Sequence, residues 1–201
     1  MENKIAKIFS YIFHPILIPA YIFSIILYLV PYLSVTFTHE FKLMVIGIVL
    51  ITTCIIPLIL FSLFYKLNLL ESLLMETKEE RTLPLLLISI SYYTTYYIFR
   101  KLNLPPLTTI IMLSACISSI ITLLINYKWK ISIHCVGWGS FTGLMIGIFN
   151  YYMITNISII ISLFFISGLV AYSRLQLKAH NYSQVYAGYI IGFLSMLLII
   201  H

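Results

Sequence analysis

"SRLQLKAHNYSQ", residues 173 to 184, sets an arginine, a lysine and a histidine between two apolar runs, 155 to 172 and 182 to 200. Each flanking run approaches the roughly 20 residues that a helix needs to cross a bilayer. Ionisable groups are expensive within hydrocarbon, so this polar stretch is read as a connection at a membrane surface. The flanking runs are then two helices that turn back on each other.

The rest of the chain has the same character. Its 201 residues are 61% hydrophobic and only 9% charged, with mean hydropathy +1.03. About a quarter of the residues of an ordinary soluble domain are charged. The composition therefore excludes a soluble globular protein and indicates an integral membrane protein. Apolar runs fall at roughly 9 to 33, 42 to 65, 83 to 99, 105 to 126, 131 to 153, 155 to 172 and 182 to 200. They are too long and too uniformly apolar for barrel strands. The expected fold is all-α, a polytopic transmembrane helix bundle of about six or seven spans. The third run is short, and "FHPILIP" puts two prolines into the first, which predicts a broken or re-entrant segment. No internal repeat or low-complexity linker divides the chain. It reads as one membrane domain over 1–201, with a core at about 66–201 preceded by two spans at about 9–65.

Several features carry no functional assignment at this stage. The first run lacks the layout of a cleaved signal peptide and is expected to be retained. Cys54, Cys116 and Cys135 are odd in number and lie in apolar surroundings, as core thiols do. The aromatic clusters "SYYTTYYIF" (91 to 99) and "NYYM" (150 to 153) read as interfacial belts. His14, His39 and His201 are isolated in proline-rich, loop or terminal contexts and receive no role. The formal net charge of +6 reads first as topogenic lysines, with contact with anionic lipid head groups or an anionic ligand as the alternatives, and no nucleic-acid partner is expected.

Outside the runs, charge collects at the N-terminal "MENKIAK" and in three islands at 66 to 84, 126 to 134 and 172 to 184. Two runs separate the first island from the second, and two more separate the second from the third. An even number of crossings returns the chain to the same face, so the three islands can meet there. Lys78 and Arg81 are three apart and share a face if their stretch is helical. Lys130, Ser132 and His134 open one run, while Arg174 and His180 flank the last. Cations, a hydroxyl and two imidazoles suit an oxyanion, most naturally a phosphate. No carboxylate cluster or Cys/His set indicates a metal, and no cofactor is expected. Glu71, Glu76, Glu79 and Glu80 read as a solvated helix face. With two imidazoles, one can attack phosphorus while the other donates a proton to the departing alkoxide and later activates water. His180 has the better nucleophile setting: Gln184, four residues on and about 40° around an ideal helix, can accept one imidazole N–H and hold the other nitrogen free.

These residues resemble the signatures of the type 2 phosphatidic acid phosphatase superfamily. "SRLQLKAHNYSQ" is similar to the third signature, S-R, five residues, H, three residues, D. Ser173, Arg174 and His180 are in register, and Gln184 stands where aspartate is expected. "ISIH" (131 to 134) resembles a degenerate P-S-G-H, and "KEERTLP" (78 to 84) a compressed form of K, six residues, R-P. The resemblance covers 78 to 192. It implies a divergent membrane lipid phosphatase that works without metal through a phosphohistidine intermediate, in a bacterial cytoplasmic membrane. By position it makes His180 the nucleophile and His134 the general acid and base. Lys78, Arg81, Ser132 and Arg174 become the phosphate cradle, with Lys130, Lys178 and the Ile133 backbone as possible additions. Glutamine at 184 can orient an imidazole but cannot stabilise its positive charge as aspartate does. A non-catalytic phosphate-lipid binder or scaffold is therefore the alternative.

In the seven-span reading, nine of the Lys and Arg residues lie on the island side and three on the other. Setting aside Lys78, Arg81, Lys130 and Arg174 leaves five against three, so charge bias does not assign the face. Polyprenyl pyrophosphate, phosphatidate and phosphatidylglycerol phosphate all fit a site at head-group level. A transporter ranks last, because the ionisable residues gather at span ends.

Overall fold

Glycine spacing brings two helices into direct backbone contact. Gly139 and Gly143 lie four apart on α8 (Ile133–Tyr151), and Gly188 and Gly192 lie four apart on α10 (Tyr182–Ile200). A Cβ on Gly139 would strike the Tyr189 carbonyl, one on Gly143 the Phe193 carbonyl, and one on Gly192 the Val136 carbonyl. The two backbones thus touch directly, the close approach that small residues at four-residue spacing permit between membrane helices. α8 is the buried helix of the bundle, with Trp138, Phe141, Leu144, Met145 and Ile148 in the main apolar core.

The computed structural model describes residues 2–70 and 77–200, and every regular element among them is helical. Besides α8 and α10 these are α1 (Glu2–Ile12), α2 (Ile18–Leu29), α3 (Pro31–Thr36), α4 (His39–Leu50), α5 (Ile56–Lys66), α6 (Lys78–Lys101), α7 (Pro106–Lys128) and α9 (Ile157–Gln176). Five stretches among the described residues are long and apolar enough to cross a membrane: Glu2–Leu29, His39–Lys66, α7, α9 and Tyr182–Ile199. The chain is an all-helical integral membrane protein. α6 and α8 are of comparable length, 24 and 19 residues, but Ser, Thr and Tyr in α6 and glycine in α8 dilute their apolar content.

The boundaries differ from the sequence reading where capping and proline intervene. α6 starts at Lys78 rather than near 83, because Thr77 caps it, its Oγ1 accepting the Glu80 N–H at 3.3 Å. Lys78 and Arg81 are therefore helical neighbours. α9 runs on to Gln176, which puts Arg174 in its last turn. Glu71 and Glu76 of the first island lie outside the described residues. The His39–Lys66 stretch contains a π-helical segment, Ile51–Ile55, just before Pro57, which cannot donate to the preceding turn.

The first apolar run does not form one straight helix. His14 precedes Pro15 and is extended, φ −65° and ψ 134°, as a residue before proline prefers. α1 ends at Ile12, a 3₁₀ turn covers Pro15–Leu17, and α2 begins at Ile18. The carbonyls released by the break find donors from packed neighbours. Tyr21 Oη–H reaches the Ile12 carbonyl at 3.0 Å and Trp138 Nε1–H the Phe13 carbonyl at 2.9 Å. Backbone polar groups at membrane depth need such partners.

Gly143→Ala and Gly192→Ala are expected to destabilise the bundle by about 1–3 kcal/mol each, the usual cost of overpacking. Gly168→Ala, where an added Cβ meets nothing within 4 Å, should be neutral or stabilise by up to about 1 kcal/mol through helix propensity. Thermal unfolding in detergent distinguishes the two classes.

Candidate active site

Three separate segments converge where α8 and α10 begin. The backbone N–H of Ser132, the residue capping α8, donates to the Gln184 carbonyl at 3.3 Å. Arg81, from α6, is 5% exposed and donates through Nη1 to the Ile131 carbonyl at 3.1 Å. Arg81, His134, Arg174 and His180 together line a cavity of about 320 Å³. Its other walls are largely apolar, including Ile22, Phe23, Ile111, Met112 and Met196.

His180 sits in the connection between α9 and α10, and its surroundings fix its tautomer. Gln184 Oε1 lies 3.0 Å from His180 Nδ1 and also accepts the Asn181 N–H at 3.2 Å. Because a backbone N–H needs an acceptor, the atom at that place is the amide oxygen. Nδ1 of His180 therefore donates, and Nε2 carries the lone pair. Arg81 Nη1 lies 3.4 Å from that Nε2, so the second nitrogen faces a guanidinium rather than open space. Gln184 has a further local task. Its own N–H donates to Asn181 Oδ1 at 3.0 Å, and the two residues form a reciprocal capping box at the start of α10.

The other histidine is held differently. His134 lies in the first turn of α8, against the backbone of Ser10 from α1, and its Nε2 is buried without a hydrogen-bond partner. Arg174 Nη1 donates to Ser10 Oγ at 2.7 Å, while its Nε is buried and unpartnered. Unsatisfied buried polar atoms are rare and costly in folded proteins. The guanidinium N–H left this way is a group that a bound oxyanion can satisfy, and the imidazole nitrogen is one that the hydroxyl of a protonated oxyanion can satisfy.

The remaining expected site residues are not all at the cavity. Ile133 lines it. Ser132 is fully buried with its Oγ on Cys135 Sγ at 3.2 Å, and Lys78 is turned toward the Tyr127 carbonyl at 3.3 Å and Glu79 at 3.7 Å. Neither is in the cavity wall. Lys178 is exposed at the end of α9 with φ 53°, and Lys130 adds positive potential at His180 without lining the cavity. A further histidine of the wall was given no role in the sequence reading: His14, at the break between α1 and α2, lies edge-on to His134 with ring centroids 5.1 Å apart. The missed signal was an ionisable side chain beside proline inside an apolar run.

No protein-family model, no curated protein and no solved structure matches this chain.

His180 is pushed down to about 3 from 6.5, first by burial, then by the Arg81 charge, against the Gln184 hydrogen bond that favours protonation. Between these two values the unfolded chain binds the proton and the folded chain does not. Acidification from 6.5 toward 3 therefore destabilises the fold through this residue, while above 6.5 it has no effect. Histidine NMR of the detergent-solubilised protein should show His180 unprotonated from pH 8 to pH 4. Arg81→Gln should raise its midpoint.

Proposed function

We propose that the protein is an integral membrane phosphatase that hydrolyses lipid phosphates or pyrophosphates through a phosphohistidine intermediate. The supporting observation is the convergence of Arg81, His134, Arg174 and His180, from segments spread over about a hundred residues, on one cavity with an apolar interior. Such a cavity suits a substrate whose phosphate meets the cations and whose tail stays in an apolar channel. Polyprenyl pyrophosphate, phosphatidate and phosphatidylglycerol phosphate belong to this class. In this reading α6 and α8 also cross the bilayer, for seven crossings in all, and the membrane is a bacterial cytoplasmic membrane.

The chemistry follows from the tautomers. The Nε2 lone pair of His180 attacks phosphorus, and the bond from phosphorus to the lipid oxygen breaks. Arg81, whose Nη1 faces that nitrogen in the free site, moves its hydrogen bond to the anionic oxygens and joins Arg174 in stabilising the charge of the transition state. The proton of a phosphate monoanion reaches His134 Nε2 and passes to the departing alkoxide. His134, neutral again, then takes a proton from water as that water attacks the phosphohistidine. That proton passes from His134 to the phosphate, which leaves as the monoanion, and both histidines are restored. Gln184 orients the imidazole throughout but contributes no charge.

The capping box gives a second reading some weight. Gln184 is accounted for by the start of α10 alone, so the cradle could hold a phosphate lipid without turning it over. Phosphate release from a panel of detergent-solubilised lipid phosphates separates the two. The phosphatase reading predicts release that persists in chelator, is abolished in His180→Ala, and falls about 10²- to 10⁴-fold in His134→Ala, the usual scale for a lost general acid and base. Hydrolysis at the wild-type rate by His180→Ala would remove the proposed nucleophile. Binding without release, with activity gained in Gln184→Asp, would favour the binder.

A further inference from the structure

The break in the first helix delivers three groups to the site at once. Ser10 Oγ holds Arg174, the Ser10 backbone faces His134, and the His14 ring stands edge-on to His134 in the cavity wall. Resting on the phosphate-site reading above, we propose that His14 is a third imidazole of that site, a hydrogen-bond donor that binds the oxyanion through Nε2–H.

The argument is one of tautomer and placement. His14 Nδ1 accepts the Ile16 N–H at 3.3 Å, which caps the 3₁₀ turn Pro15–Leu17. An imidazole that accepts at Nδ1 carries its proton on Nε2 when neutral. His180 has the opposite arrangement, donating at Nδ1 and holding a lone pair at Nε2. One histidine is thereby set up to give a hydrogen bond and the other to attack. Capping alone does not account for His14, because asparagine, serine or aspartate would cap the turn equally well. None of these would extend a ring into the cavity beside His134. The break itself is braced by Tyr21 and Trp138, so the ring is carried on fixed backbone and needs no rearrangement to meet a ligand.

The test uses orthovanadate, a phosphate mimic, and reads binding rather than turnover. Affinity is taken from the vanadate-dependent rise in the thermal unfolding midpoint of the full chain in detergent. His14→Phe keeps a ring but has no donor, and its affinity should fall about tenfold, the scale of one lost charge-assisted hydrogen bond. His14→Gln places an amide N–H near the position of Nε2–H and should bind within about threefold of wild type. Unchanged affinity in His14→Phe overturns the assignment, even if its turnover falls. Should that variant not fold, histidine NMR of the wild-type chain decides: vanadate must shift the His14 Nε2–H resonance, and an unmoved resonance overturns it. A wild type that binds vanadate in this His14-dependent way but releases no phosphate from lipids refutes the phosphatase reading and supports the His14 assignment. One that binds no vanadate refutes both.

Discussion

The direct contact of the α8 and α10 backbones is the constraint on which the site depends. Glycines 139, 143, 188 and 192 remove the side chains that would hold the two helices apart. Their N-terminal turns come close enough for Ser132 N–H to reach the Gln184 carbonyl. That single bond joins the turn carrying His134 to the turn carrying Gln184, and Gln184 in turn holds His180. The separation of the two imidazoles is therefore set by helix packing rather than by long, mobile side chains. Preorganisation of this kind lets a site stabilise charge without reorganising as the charge develops.

Around that contact most buried polar groups are tied down, with His134 Nε2 and Arg174 Nε left unpartnered at the cavity. Arg81 is anchored on the Ile131 carbonyl and Arg174 on Ser10 Oγ, so each cation has a fixed direction, and Arg174 Nε is buried without a partner. The broken first helix shows the same management. Its freed carbonyls go to Tyr21 and Trp138, and the broken turn brings Ser10 and His14 to the cavity. A straight helix through residues 10–17 would satisfy its own backbone but present a different set of side chains.

Much of this was legible in the sequence because hydropathy is a robust signal. The apolar runs gave an all-helical membrane fold, and the three polar islands contain Arg81, His134, Arg174 and His180, which line one cavity. Local chemistry was harder to read. The glycine pairs that fix α8 against α10 act through backbone contact, which no polar or charged residue marks. Lys78 and Ser132 have suitable side chains for a cradle, but the Tyr127 carbonyl and Cys135 offer them nearer partners. His14 drew no assignment because its importance comes from a proline-induced break that folds residues 10–17 back toward a helix more than a hundred residues away. Gln184 looked like a defective aspartate, and its capping of α10 became evident only with Asn181 beside it.

The central claim is that His180 Nε2 forms a bond to phosphorus. Rapid alkaline quenching of the protein during turnover of a lipid phosphate, followed by mass-spectrometric mapping of the modified residue, tests it most directly. The account predicts phosphohistidine at His180 that accumulates when His134 is replaced by glutamine and the hydrolytic half-reaction slows. Turnover that leaves His180 unmodified, or phosphate found instead on another residue, would contradict it.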